Sequence, residues 1–273
     1  MEALRTSPRK VHSPYAELFG ARELNRRSRC LIVVAHPNDE IVGSGCLIAK
    51  LPNVRILHVS HGAFAVQETQ KAGFDIATER KRECLAALAL AKVPSERVVE
   101  FDLPQLEPPY KMVELTRSLL TFLQKKSPRI VLTHAYEGGH PDHDAVAFAT
   151  HSAGRLLSQN GLKPPVIFEM AIYPDKNGLL KMPEFLHSPS RESTTLILDS
   201  DALELKKRMF DCFKTQQQTL AQSPLGPEKF RQAPVYDFTR PPHDGELHYE
   251  KLNLGVTGEQ WRELAREAEQ VLF

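Results

Sequence analysis

Short, almost wholly apolar runs alternate along this chain with longer amphipathic stretches. Cys30, Leu31, Ile32, Val33, Val34 and Ala35 make the first run, the composition of a strand buried on both faces of a parallel sheet. Pro37 ends it, and because proline drives the preceding residue out of the α region, His36 is expected extended at the strand's carboxyl end. Residues 41–51 then have helix length and an apolar face, with Gly43 and Gly45 permitting close approach to sheet or ligand. Further strands are predicted over 54–60, 98–101 and 129–133, and helices over 78–91, 112–124 and 144–157. This alternation predicts an α/β fold, a doubly wound, mostly parallel Rossmann-like sheet with helices on both faces.

Outside that block the pattern is looser. Residues 1–28 read as a polar lead-in with a short helix around 14–22, and residues 61–78 as a loop leading into a helix, a type of segment that commonly shapes pockets. Strands are expected over 166–173 and 194–198, helices over 202–220 and 257–272, and a tail rich in proline and charge over 223–244. With no repeat and no linker, one domain over 1–273 is the simpler organisation, its ends being the lead-in 1–28 and the tail and closing helix 223–273.

Composition narrows the function. Lys plus Arg number 35 against 34 Asp plus Glu, a formal charge of +1, so nothing in the balance favours nucleic acid or an acidic membrane, and a small molecule is the expected partner. No apolar run reaches membrane-spanning length and no signal-peptide core precedes the first strand. Cys30, Cys46, Cys84 and Cys212 are scattered without a C-x-x-C pair, which suits a reducing, cytoplasmic setting.

The chemistry concentrates in two strand-end loops. His36-Pro37-Asn38-Asp39-Glu40 follows the first strand, and His140-Pro141-Asp142-His143 follows the strand over 129–133. A hydrolytic zinc site needs about three His, Asp or Glu ligands and one open position. His36 and Asp39 supply two and His143 a third, leaving His140 for the reacting carbonyl or leaving group, with Asp142 to orient it. Zinc in such a site brings the pKa of a water to about 7, opening amide hydrolysis at neutral pH.

Together these motifs resemble the LmbE-like, PIG-L-type metal-dependent N-deacetylases, whose signatures are A-H-P-D-D-E and H-P-D-H. Here they stand as Ala35-His36-Pro37-Asn38-Asp39-Glu40 and His140-Pro141-Asp142-His143. Gly43 and Gly45, the run Arg80-Lys81-Arg82-Glu83, Lys207 and Gln216-Gln217-Gln218 extend the likeness over roughly residues 30–220. The resemblance implies zinc on His36, Asp39 and His143, with His140 stabilising an oxyanion or protonating the amine. It implies Arg80, or its neighbour Arg82, as a substrate contact, and removal of an N-acetyl or other N-acyl group from an amino sugar or glycoconjugate. It also exposes a departure: Asn38 occupies the position of the family's general-base aspartate, and an amide has that shape without its basicity. The expected loss of rate is about 100- to 10,000-fold.

Blander readings stand beside these. An isolated His-Pro followed by Asn and Asp is usually a helix cap; a second His-x-Asp-His loop at the same sheet edge argues against chance. His58, His61 and His134 also fall near strand ends, where a lone histidine is more often packed than functional; of these, His61 is the best extra substrate contact. His243 and His248 fit a loop over a pocket and a surface loop equally well. Two other classes remain: a non-catalytic sugar- or metal-binding relative, favoured by Asn38, and a non-haem iron oxygenase, which shares the two-His-one-carboxylate set.

Overall fold

All five side chains of β1 (Cys30–Val34) are buried. In the computed structural model, which describes residues 13–20, 29–64, 75–174, 183–186, 192–223 and 225–273, β1 lies between β2 (Arg55–Ser60) and β4 (Ile130–His134) and runs parallel to both. Parallel pairing continues outward to β3 (Val98–Leu103) beside β2 and β5 (Val166–Met170) beside β4. A small antiparallel pair, β6 (Tyr173–Pro174) and β7 (Pro183–Glu184), follows. Then β8 (Ser193–Leu196) and β9 (Glu228–Gln232) close the seven-stranded sheet as antiparallel additions, in the order β3-β2-β1-β4-β5-β9-β8. The strand order reverses between β1 and β4, and the crevice outside strand carboxyl ends at such a switch point is where open α/β sheets place ligands.

Helices cover both faces because each central strand alternates its apolar side chains between two cores. Ile32, Val34 and Leu132 face a core built with Ile41, Leu47 and Ile48 of α2 (Asp39–Lys50) and with Ala87 and Leu88 of α3 (Ile76–Leu90); the short α1 (Pro14–Phe19) adds Leu18 to it. Leu31, Val33 and Val131 face the other core, with Leu115, Leu119 and Leu123 of α4 (Met112–Lys126) and Val146, Ala149 and Ala153 of α5 (Pro141–Gln159). Each fully buried aliphatic side chain contributes about 1.5–3 kcal/mol. Gly43 lets α2 close on β5: a Cβ there would sit 2.6 Å from Met170 Sδ.

The mostly parallel, two-faced α/β sheet is thus as predicted, with local corrections. The helix expected over 202–220 is broken into α6 (Ser200–Phe210) and α7 (Gln217–Leu220). Phe213 turns into the core, and the buried Glu83 carboxylate accepts hydrogen bonds from Thr215 N and Oγ1 where the helical ladder would have run. The strand expected over 166–173 ends at Met170, so that Tyr173 belongs to the small second sheet. Strand β9 lies in a segment read as tail. Of the lead-in, 1–12 and 21–28 lie outside the described residues, as do 65–74 of the predicted loop.

After β9 come α8 (His248–Lys251) and α9 (Gly258–Leu272). Trp261 of α9 is fully buried and donates its indole N–H to Pro141 O at 3.1 Å, bracing the first turn of α5. Among the described residues no helix is long and apolar enough to cross a membrane.

Candidate metal centre and cleft

His36 lies in the bend that follows β1, and Asp39 opens α2 three residues on, so that both line the switch-point crevice. The backbone N–H of His36 donates to Asp39 Oδ2 at 2.8 Å and fixes that carboxylate. On the other side, His140 is the N-cap of α5, Pro141 occupies its first turn, and His143 sits one residue further along that turn than Asp142. His36 Nδ1, Asp39 Oδ2 and His143 Nε2 then meet in a triangle with all three edges 3.4 Å. Ligands held tetrahedrally at about 2.0–2.1 Å from one ion are themselves about 3.4 Å apart. Two imidazoles and a carboxylate spaced in this way fit a divalent metal.

The residues behind the triangle fix its rings. Asp142 Oδ2 hydrogen-bonds His36 Nε2 at 2.9 Å and also accepts Leu106 N at 2.9 Å. Tyr173 Oη pairs with His143 Nδ1 at 2.7 Å. Each ring therefore presents one nitrogen to the triangle and has the other held by a protein group, as metal-ligating histidines usually do. This corrects the expected role of Asp142: its carboxylate supports His36, and only its backbone N–H reaches the ring of His140. Tyr173 was missed, since nothing in its local sequence marks a tyrosine as a ligand's partner; the only signal was Gly139, where a Cβ would come within 2.2 Å of the Tyr173 ring.

His134 comes close without belonging to the ligand set. Its ring stacks on His143 at 4.0 Å, and its Nε2 accepts the Ala35 N–H at 3.0 Å, which occupies the lone pair a metal would need. Burial pulls its pKa down to about 4, keeping it neutral. For His36 burial works in the same direction, but the Asp142 and Asp39 carboxylates outweigh it and raise the pKa to about 9. With burial opposing, His143 leads the groups that hold Asp39 well below the ordinary carboxylate range.

Asn38 is the helix-cap residue by position, yet its side chain makes no capping hydrogen bond. Its φ of 140° is rare for any residue but glycine, the sort of backbone strain that clusters at functional sites. The strain is held from both sides: its N–H donates to Glu40 Oε2 at 3.2 Å, while its carbonyl accepts Ile41 N and Val42 N. Its side chain lines a cleft of about 1010 Å³ together with all three triangle residues. His140 Nδ1 accepts Asp142 N at 3.1 Å, so its proton is on Nε2. Burial, reinforced by His36, holds its pKa well below the usual value, and the ring is a neutral N–H donor.

Arg80 lines the same cleft, its Nε buried without a hydrogen-bond partner, whereas Arg82 is exposed and pairs with Glu79. Of that pair only Arg80 is in the cleft wall. His61 is not in the cleft wall; its Nδ1 accepts Ala63 N at 3.2 Å. His243 and His248 are in the wall, with Gln216, whose Oε1 is buried and unpartnered. The His248 N–H donates to Gly138 O at 2.8 Å, docking the tail on the second motif.

Residues 31–154 match the PIG-L family, described as GlcNAc-PI de-N-acetylase. This segment is a PIG-L family domain. It contains the whole triangle, while the cleft wall from Ile172 to Leu252 lies beyond the match. Among solved structures similar to the chain, the deacetylase of the A40926 pseudoaglycone is 17% identical, with a TM-score of 0.58 over 76% of this chain and 97% of that one. The N,N'-diacetylchitobiose deacetylase of Pyrococcus horikoshii is 19% identical, with a TM-score of 0.51 over 81% and 91%. A 4-carboxy-2-hydroxymuconate hydratase from Pseudomonas putida is 18% identical, with a TM-score of 0.52 over 71% and 81%. At such identities these likenesses establish the shared α/β fold.

Proposed function

We propose that this protein is a zinc-dependent amide hydrolase that removes an N-acetyl or other N-acyl group from an amino sugar or glycoconjugate. In this reading the base position is occupied by Asn38, so turnover is slow. The observation that carries it is the 3.4 Å triangle of His36, Asp39 and His143 with Asn38 and His140 in the same cleft wall. Support also comes from the family match and from deacetylases among the structural neighbours.

His36, Asp39 and His143 would hold the ion, which when bound supplies Lewis acidity toward an amide carbonyl and a water molecule. The protein supplies the rest. His140 presents a neutral Nε2–H suited to hydrogen-bonding the oxygen that gains charge as the amide is attacked. The Asn38 amide can orient a water but cannot take its proton. Arg80 and Gln216, whose buried polar atoms lack protein partners, would contact the hydroxyl or acidic groups of a sugar. All four cysteines are free thiols, consistent with a cytoplasmic setting.

Restoring the base tests this. Asn38→Asp, loaded with zinc, is expected to release acetate from N-acetylated amino sugars about 100- to 10,000-fold faster than the chain with Asn38. Equal rates at equal metal content would favour the second reading, a sugar-binding relative without catalysis, which Asn38 itself supports. Iron-dependent oxygen uptake with a 2-oxo acid would point instead to an oxygenase.

A further inference from the structure

Behind the first motif, Glu40 of α2, His58 of β2 and Cys84 of α3 converge from three elements, each at most 2% exposed. His58 Nε2 lies 3.1 Å from Glu40 Oε2. Cys84 Sγ lies 3.2 Å from Glu40 Oε1 and 3.8 Å from His58 Nε2. None of the three lines the cleft, and the hydrolysis derived above uses none of them.

A carboxylate, an imidazole and a thiol thus converge, the imidazole on one Glu40 oxygen and the thiol on the other, with one donor atom from each within 4.8 Å of the other two. Zinc bonds of about 2.3 Å to sulfur and about 2.0–2.1 Å to nitrogen or oxygen place neighbouring donors about 3.3–3.6 Å apart, and the observed separations bracket that range. Read only as hydrogen bonds, the cluster has the thiol and the ring N–H donating to a carboxylate. With a divalent ion in place, the Cys84 thiol proton would leave to solvent, and thiolate, carboxylate, neutral imidazole and a 2+ cation would sum to zero charge.

We propose that Glu40, His58 and Cys84 form a second, buried metal site for a thiophilic divalent cation of the zinc class. Its thiolate separates it from the all-N,O triangle of His36, Asp39 and His143 and favours softer ions. With every ligand buried, the ion is acquired during folding and acts structurally. It also bears on the first site, because Glu40 Oε2 accepts the Asn38 N–H and would anchor the strained residue to the ion.

The test needs no substrate. The full chain, produced in cobalt-supplemented medium, is expected to carry two Co2+ per chain and to show the intense near-ultraviolet thiolate-to-cobalt charge-transfer band. Cys84→Ser, and independently His58→Gln, should lose that band and one cobalt while retaining a folded circular dichroism spectrum. His143→Ala should lose one cobalt and keep the band. If neither cluster variant folds, the chain bearing Cys30→Ala, Cys46→Ala and Cys212→Ser decides: a retained band supports the site and a lost one overturns it. A natural chain without the band, or a band that survives Cys84→Ser, overturns the proposal, whatever the hydrolase assay gives.

Discussion

Asp142 gives its carboxylate to the ring of His36, 2.9 Å away, and only its backbone N–H to the ring of His140. A carboxylate on Nε2 fixes the tautomer that presents Nδ1 to a metal and raises the basicity of that nitrogen. Asp142→Asn is therefore expected to weaken metal binding by about 10- to 100-fold, read by competition against a chromogenic chelator. Unchanged affinity with slowed turnover would return Asp142 to the support of His140.

The Tyr173 hydroxyl plays the equivalent part for His143, and Gly139 makes room for its ring. Tyr173→Phe removes the hydrogen bond alone, while Gly139→Ala forces the whole ring away. Both should lower metal affinity, the alanine variant at least as strongly, in the same chelator titration. Natural affinity in Tyr173→Phe would show that the His143 ring is oriented by its packing on His134 instead.

How much of this was legible beforehand depended on whether the information was local. β1, its alternating neighbours and the two strand-end motifs could be read because a buried parallel strand is written as a continuous apolar run and because His36 and Asp39 fall in the turn and helix start after one such run and His143 in the helix after another. The triangle could not have been measured from sequence, and the partner of Asp142 was misassigned because four residues of α5 say nothing about the side chain 106 positions earlier. β9 was invisible for a related reason. Glu228-Lys229-Phe230-Arg231-Gln232 reads as solvated, yet Glu228 and Arg231 are buried because Lys206 and Glu169, from other elements, neutralise them. His243 and His248 reach the cleft from a tail with no periodicity of its own.

The Lys206–Glu228 pair makes a stability prediction. The pair is fully buried at 3.1 Å, and the Glu228 carboxylate also accepts Cys46 N and Leu47 N where α2 is kinked at Ser44. Removing one partner of a buried pair costs about 3–5 kcal/mol, because the other charge is stranded. Lys206→Met should lose that much in urea denaturation, and the double variant Lys206→Met with Glu228→Gln should recover part of it. A loss below about 1 kcal/mol in the single variant, the scale of an exposed pair, would mean that water reaches Glu228.

Glu137, in the loop before the second motif, predicts how stability varies with pH. Its side chain is buried and accepts Leu186 N at 2.7 Å. Burial raises its pKa to about 8, against the opposing pull of Arg231 and that amide. In the unfolded chain the same carboxyl titrates near its ordinary value of 4.5. Between those values the folded state keeps a proton the unfolded state has released, so this group's stabilisation is fully present below about 4.5 and is lost as pH rises through about 8. Glu137→Gln keeps the neutral shape and cannot ionise. Compared by urea denaturation between about pH 5 and pH 8, the natural chain should lose stability relative to Glu137→Gln as the pH rises. Parallel pH profiles for the two proteins would show that Glu137 is already ionised in the fold, with Arg231 as its counter-charge.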